Sequence, residues 1–151
     1  MSKSGKTVNV DQDETRQAIE MLYFGYRNFT LQADRELEKR GLNRSHHRIL
    51  YFISRNGETL QSELLATLQI SKQALNLPLR QLISMDLVTV SRAKTDGRIK
   101  LVELTSEGKR LEQRLTRHQR GLLDEVFAMA GTRNREGWFR VMELLADPVL
   151  D

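Results

Sequence analysis

Residues 71–105 read SKQALNLPLRQLISMDLVTVSRAKTDGRIKLVELT, and this stretch decides the fold. Its first half has a helical period. Ser71 is a good N-cap, Ala74, Leu75, Leu79 and Leu82 fall on an apolar side, and Ser71, Lys72, Gln73, Asn76 and Arg80 make a polar one. After Leu87 the period shortens to two, in Val88-Thr89-Val90-Ser91-Arg92 and, in part, over 98–104. Asp96-Gly97 between these β-branched runs is a hairpin signal, with Lys94, Thr95 and Arg98 near the tip and Arg92 at the base.

Upstream, Thr59 is placed to cap a helix holding Leu60, Leu64, Leu65 and Leu68, and Gln69-Ile70 breaks it. Two short helices joined by so tight a turn form the helix-turn-helix layout, whose second helix can enter a DNA major groove. A further helix starts at a Ser45 cap, buries Ile49, Leu50, Phe52 and Ile53, and ends at Asn56-Gly57. Before it, steps of three and four link Ile19, Leu22, Tyr23, Tyr26, Phe29, Ala33 and Leu37 in a helix from about Asp13 to Arg40, closed by Gly41. Residues 1–11 are polar and aperiodic and read as an arm. Downstream, Thr105 caps a long helix to about Ala130, with Leu111, Leu115, Leu122, Val126, Met129 and His118 on one stripe. A last helix, about 133–146, presents Trp138, Val141, Met142 and Leu145, and Asp147-Pro148 stops it.

Composition narrows the function. The 151 residues fit one domain with helical arms, and 39% apolar with 29% charged residues is a globular composition. With no cysteine, disulfides, thiolate metal sites and thiol redox sensing are excluded. The longest apolar run, Ile49 to Ile53, is far short of the ~20 residues of a membrane span. No apolar stretch marks residues 1–10 as a secretory signal, so the expected location is the cytoplasm, with no membrane partner. The net charge of +4 is unevenly spread: residues 72–120 carry eleven basic and five acidic side chains, residues 121–151 three and six. A basic middle suits a polyanionic partner, though a solvated basic surface explains the charge alone equally well.

The sequence resembles the MarR family of winged helix-turn-helix transcription regulators. The resemblance is carried by Leu87-Val88, by Asp96-Gly97-Arg98 in the wing, and by Val102-Glu103-Leu104-Thr105 followed by Gly108, each at the family's spacing. It implies a mainly α fold with a small β-hairpin wing and N- and C-terminal dimerisation helices. Residues 1–41 would be arm and dimerisation helix, 42–104 the DNA-binding lobe, and 105–151 the C-terminal dimerisation helices. The implied protein is a homodimer on a pseudo-palindromic operator, with recognition helices in successive major grooves about 34–36 Å apart. Ser71, Lys72, Gln73, Asn76 and Arg80 would read or flank bases; Arg92, Lys94, Thr95, Asp96 and Arg98 would serve the wing, Asp96 orienting Arg98 by a charge-assisted bond. The expected activity is that of a ligand-responsive repressor.

Many members of the family bind aromatic anions or phenols between the dimer helices and the DNA-binding lobe. Tyr23, Tyr26, His46, His47 and Tyr51 are the candidates here for such an effector pocket, and dimer packing explains the same aromatics. Pro78 departs from the pattern, since a proline inside a helix costs about 3 kcal/mol. Either the helix kinks at 74–76, or a regular helix starts with Pro78 near its first position. Leu77 is unexpected on a DNA-reading face. Arg110, Arg114, Arg117 and Arg120 read first as a solvated face, His118 as an interface residue, and Trp138 as a core or dimer anchor.

No nucleophile elbow, P-loop, dinucleotide fingerprint or zinc spacing is present, so neither an enzyme nor a cofactor or metal is expected. The alternatives are a winged-helix adaptor that binds protein and not nucleic acid and, ranked below it, an enzyme whose site no motif marks.

Overall fold

The computed structural model describes residues 11–147. The arm expected over residues 1–11 therefore lies outside the described residues but for Asp11, which caps the first helix, and Pro148 lies outside as well. The element order is α1 (Gln12–Glu38), α2 (Arg44–Asn56), β1 (Thr59–Leu60), α3 (Gln61–Leu68), α4 (Lys72–Ser84), β2 (Val88–Arg92), β3 (Lys100–Leu104), α5 (Ser106–Ala130) and α6 (Thr132–Leu145). This is a mainly helical winged helix-turn-helix. No helix among the described residues is long and apolar enough to cross a membrane.

Local chemistry explains the boundaries. Gly41 and Gly57 take positive φ after α1 and α2, as helix ends favour. The cap of α2 is Asn43 and not Ser45: its carboxamide accepts the Ser45 amide, while its own N–H donates to His46 Nδ1. Histidine here fills the reciprocal place that Glu or Gln holds in a capping box. Thr59 does not cap α3 through its side chain. It lies in β1, and its hydroxyl donates to the carbonyl of Gly57. The left-handed Gln69, φ 53°, makes the tight turn to α4, and Ser71 caps that helix by accepting the Ala74 amide at 3.1 Å.

Pro78 sits inside an uninterrupted α4, so the helix does not restart there. Leu75 precedes it and Leu79 and Leu82 follow it, and all three are buried. Burial on both sides of the proline offsets its missing hydrogen bond. Ala74, expected on the apolar face, is exposed. The buried side of α4 packs chiefly on α2 and β2, less on the preceding helix α3.

The antiparallel sheet has order β1-β3-β2, with Val88 opposite Leu104 and Arg92 opposite Lys100. Asp96-Gly97 does not form a two-residue hairpin turn. Residues 93–99 form a longer loop, in which Ile99 N–H donates to Asp96 O, Ala93 N–H donates to Ile99 O, and Gly97 has no positive φ.

One core joins Ala33 and Leu37 of α1, Ile49, Leu50 and Ile53 of α2, Leu64, Leu75, Leu79 and Leu82 of α4, Val88, Val102, and Leu111 and Leu115 of α5. The Leu104-Thr105-x-x-Gly108 motif locks α5 to it. Thr105 donates its N–H to Leu87 O and its hydroxyl to Asp86 O, and accepts the Gly108 amide. A Cβ on Gly108 would lie 2.0 Å from Leu87 O, so only glycine permits this approach.

Candidate nucleic-acid interface and cavity

The outer side of α4 with the wing, and a cavity between α1, α2 and α5, are the features that bear on the expected ligands.

Burial of Leu75, Leu79 and Leu82 leaves the opposite side of α4 to solvent. Gln73 and Arg80 are exposed there, Lys72 is exposed in the first turn, and Asn76 is half-buried. Ser71 is exposed too, but its hydroxyl is engaged as the N-cap. Sequence reasoning gave Gln81 no role, yet its Oε1 lies 2.7 Å from His46 Nε2. His46 Nδ1 accepts the Asn43 amide, so the proton sits on Nε2 and is donated to Gln81. This chain of bonds ties the start of α2 to α4.

In the wing, Lys94, Thr95, Arg98 and Lys100 are exposed. The Asp96 carboxylate accepts the Arg98 backbone N–H at 3.0 Å and makes no bond to its guanidinium. A carboxylate closing on the amide two residues on is the usual Asx turn, and this local geometry outcompetes the expected charged pair. The Arg98 guanidinium has no partner among the described residues. Arg92 instead donates to Gly97 O at 2.6 Å and braces the loop. Lys100 extends the cationic set beyond the residues named from sequence.

The cavity measures about 310 Å³. Tyr26, His47 and Tyr51 line it; Tyr23 and His46 do not. Tyr23 lies on the outward side of α1, 63% exposed, and the His46 ring turns back to Asn43 and across to Gln81. Arg44 is held by Asp34 in a bidentate pair of 2.8–3.1 Å and lies over the Tyr26 ring. Arg48 donates to the Tyr26 hydroxyl at 2.9 Å. Arg120 also lines the wall and has no partner among the described residues. His47 is buried, and its Nε2 makes no hydrogen bond among the described residues. Burial lowers its pKa below the ordinary value of 6.5, against a smaller raising pull from the Glu112 and Asp34 carboxylates. Glu112 is buried at the edge of this region and accepts from Ser54 and Thr116, which clips α2 to α5.

The other arginines of α5 stay apart from the cavity wall: Arg110 pairs with Glu107, and Arg114, Arg117 and His118 are exposed. No group of three or more His, Asp or Glu that could hold a metal occurs among the described residues. Apolar side chains stand in solvent along α1 (Ile19, Leu22, Tyr23), late in α5 (Val126, Met129) and along α6 (Phe139, Val141, Leu145). Trp138 packs edge-on against Phe127 and Phe139 and remains 41% exposed.

Residues 40–99 match the family model for the MarR family. The HTH-type transcriptional regulator PetP of Rhodobacter capsulatus is 34% identical over 138 residues, covering 91% of this chain and 83% of PetP. Among solved structures, a MarR transcriptional regulator from Methanosarcina mazei superposes with TM-score 0.69 at 23% identity, covering 90% of this chain and 89% of that one. Bordetella bronchiseptica BpsR, whose DNA binding is regulated by 6-hydroxynicotinic acid, gives TM-score 0.67 at 17% identity, covering 87% and 99%.

Proposed function

Since the chain belongs to the MarR family and is a transcription regulator, we propose that it acts as a homodimer on a pseudo-palindromic DNA operator, as a repressor released by a small aromatic anion or phenol. The observation that carries the DNA reading is the outer side of α4. Lys72, Gln73 and Arg80 stay in solvent while three leucines hold the helix to the core, and the wing adds Lys94, Arg98 and Lys100. Gln73 and Asn76 have the donor–acceptor pairs that read adenine edges, and the cations reach guanine or phosphate. Arg98, free of Asp96, extends to the minor groove or the backbone.

The exposed apolar stripes of α1, α5 and α6 support dimerisation, because water-facing stripes of this length are costly unless a second copy covers them. The division at 1–41, 42–104 and 105–151 is then one of task and not of core, since Ala33, Leu37, Leu111 and Leu115 belong to the shared core. The cavity supports effector binding: aromatic walls suit a ring, and Arg120 with the unpartnered His47 Nε2 suits an acidic or phenolic substituent. BpsR, with its regulation by 6-hydroxynicotinic acid, is a precedent for this ligand class.

The test is retention of duplexes from a random pool, followed by titration across salt. A binder making Z phosphate contacts loses affinity with a slope of about −0.9Z in log salt, and Arg98→Ala should cost about 1–3 kcal/mol on specific and non-specific duplexes alike. No retention of duplex DNA at moderate salt contradicts the reading and favours a protein-binding adaptor.

A further inference from the structure

We propose that Leu77 is a specificity-determining residue that packs on the C5-methyl group of a thymine in the major groove. The proposal rests on α4 being the DNA-reading helix. Leu75, Leu79 and Leu82 are 0–4% exposed, whereas Leu77 is 58% exposed. At 3.6 residues per turn Leu77 lies roughly 200° around the helix from both Leu75 and Leu79, directly away from the core. Its neighbours one turn away, Gln73, Ala74, Arg80 and Gln81, are all exposed. Leu77 is therefore at the centre of the outward face and not at its border.

Direction matters as much as exposure. Helical side chains lean toward the N-terminus, so Leu77 covers the turn that holds Gln73 and Ala74. Ala74 offers only a methyl there, which leaves the leucine open from the end of the helix that enters a groove.

The chemistry of the groove then selects the partner. Base edges in the major groove present donors and acceptors, and the one apolar group among them is the thymine methyl. Leucine against any other edge strips water from a polar group and returns no hydrogen bond. Leu77 thus favours T·A by contact and disfavours the other pairs by desolvation. An apolar residue that looks misplaced on a reading face becomes a base-selective one.

The test uses full-length protein and the tightest duplex recovered from a random pool. Each thymine is replaced in both half-sites by 2′-deoxyuridine, which lacks only the methyl and keeps the base pair. One position is expected at which this weakens wild type by about fourfold per half-site, the factor for burying one methyl-sized group. At that position Leu77→Ala should bind both duplexes equally, and Leu77→Met should keep the discrimination. The proposal is overturned if no thymine is sensitive, or if wild type and Leu77→Ala lose the same factor at every one. Failure to enrich any duplex would instead remove the DNA reading beneath it.

Discussion

The segment from Leu42 to Leu115 and the helical stretch that follows it treat the same residue types in opposite ways. In the first, Leu50, Leu64, Leu75, Leu82, Leu111 and Leu115 are at most 1% exposed. In the second, α6 buries no residue, and Met129, Val141 and Leu145 are 82, 61 and 57% exposed. Aliphatic side chains do not differ between the two, so the difference lies in where their partners are. The lobe completes its core within one chain. The helical stretch carries half of a core, and a second copy of the chain supplies the rest in the dimer proposed above.

Perturbing each region should therefore give a different kind of damage. The largest effect is expected from Gly108→Val, which drives a Cβ into Leu87 O where α5 meets the lobe; chemical unfolding should show a loss of about 4 kcal/mol. A small loss would mean that the α5 junction yields, and would blur the boundary between the regions. Next, Val141→Glu places a carboxylate in the proposed interface. It should weaken dimerisation by about 3 kcal/mol, more than a hundredfold, in sedimentation at micromolar concentration. Unfolding of the isolated subunit should be unchanged, since Val141 is 61% exposed and α6 buries no residue. An unaltered dimer would place the interface elsewhere.

The smallest effect concerns His47, in the wall between the regions. Its folded pKa is lowered by burial, so the unfolded chain binds the proton more tightly. Stability from this group is present in full above 6.5 and is lost as pH falls from 6.5 toward the lowered folded value. His47→Gln should flatten that part of the stability curve, read by urea unfolding at a series of pH values. A curve unchanged by the substitution would show that His47 is not desolvated in solution.

The helices were legible because their apolar steps persist over several turns, and Ser71 and Thr105 act as the caps that their residue types predict. Strand β1 was not, because two residues carry no period. Ser45 and Thr59 were reasonable caps by residue type, but Asn43 and Leu60 hold those places: His46 completes a capping box with Asn43, and pairing with Val102 puts Thr59 in β1. In the wing, Asp96 was legible as a turn residue but not in its partner, because the nearest amide outcompetes a mobile guanidinium. The cavity was legible only in part. Tyr26, His47 and Tyr51 were named from aromatic content, while Asp34, Arg44, Arg48 and Arg120 arrive from α1, α2 and α5 through packing that no local pattern encodes.

The most direct test of the central claim is a hydroxyl-radical footprint of the protein on its selected duplex. A dimer presenting α4 and the wing twice should protect two segments related by a dyad, centred about 10–10.5 base pairs apart. A single protected segment, or two at a spacing that one turn of the duplex does not match, would contradict it.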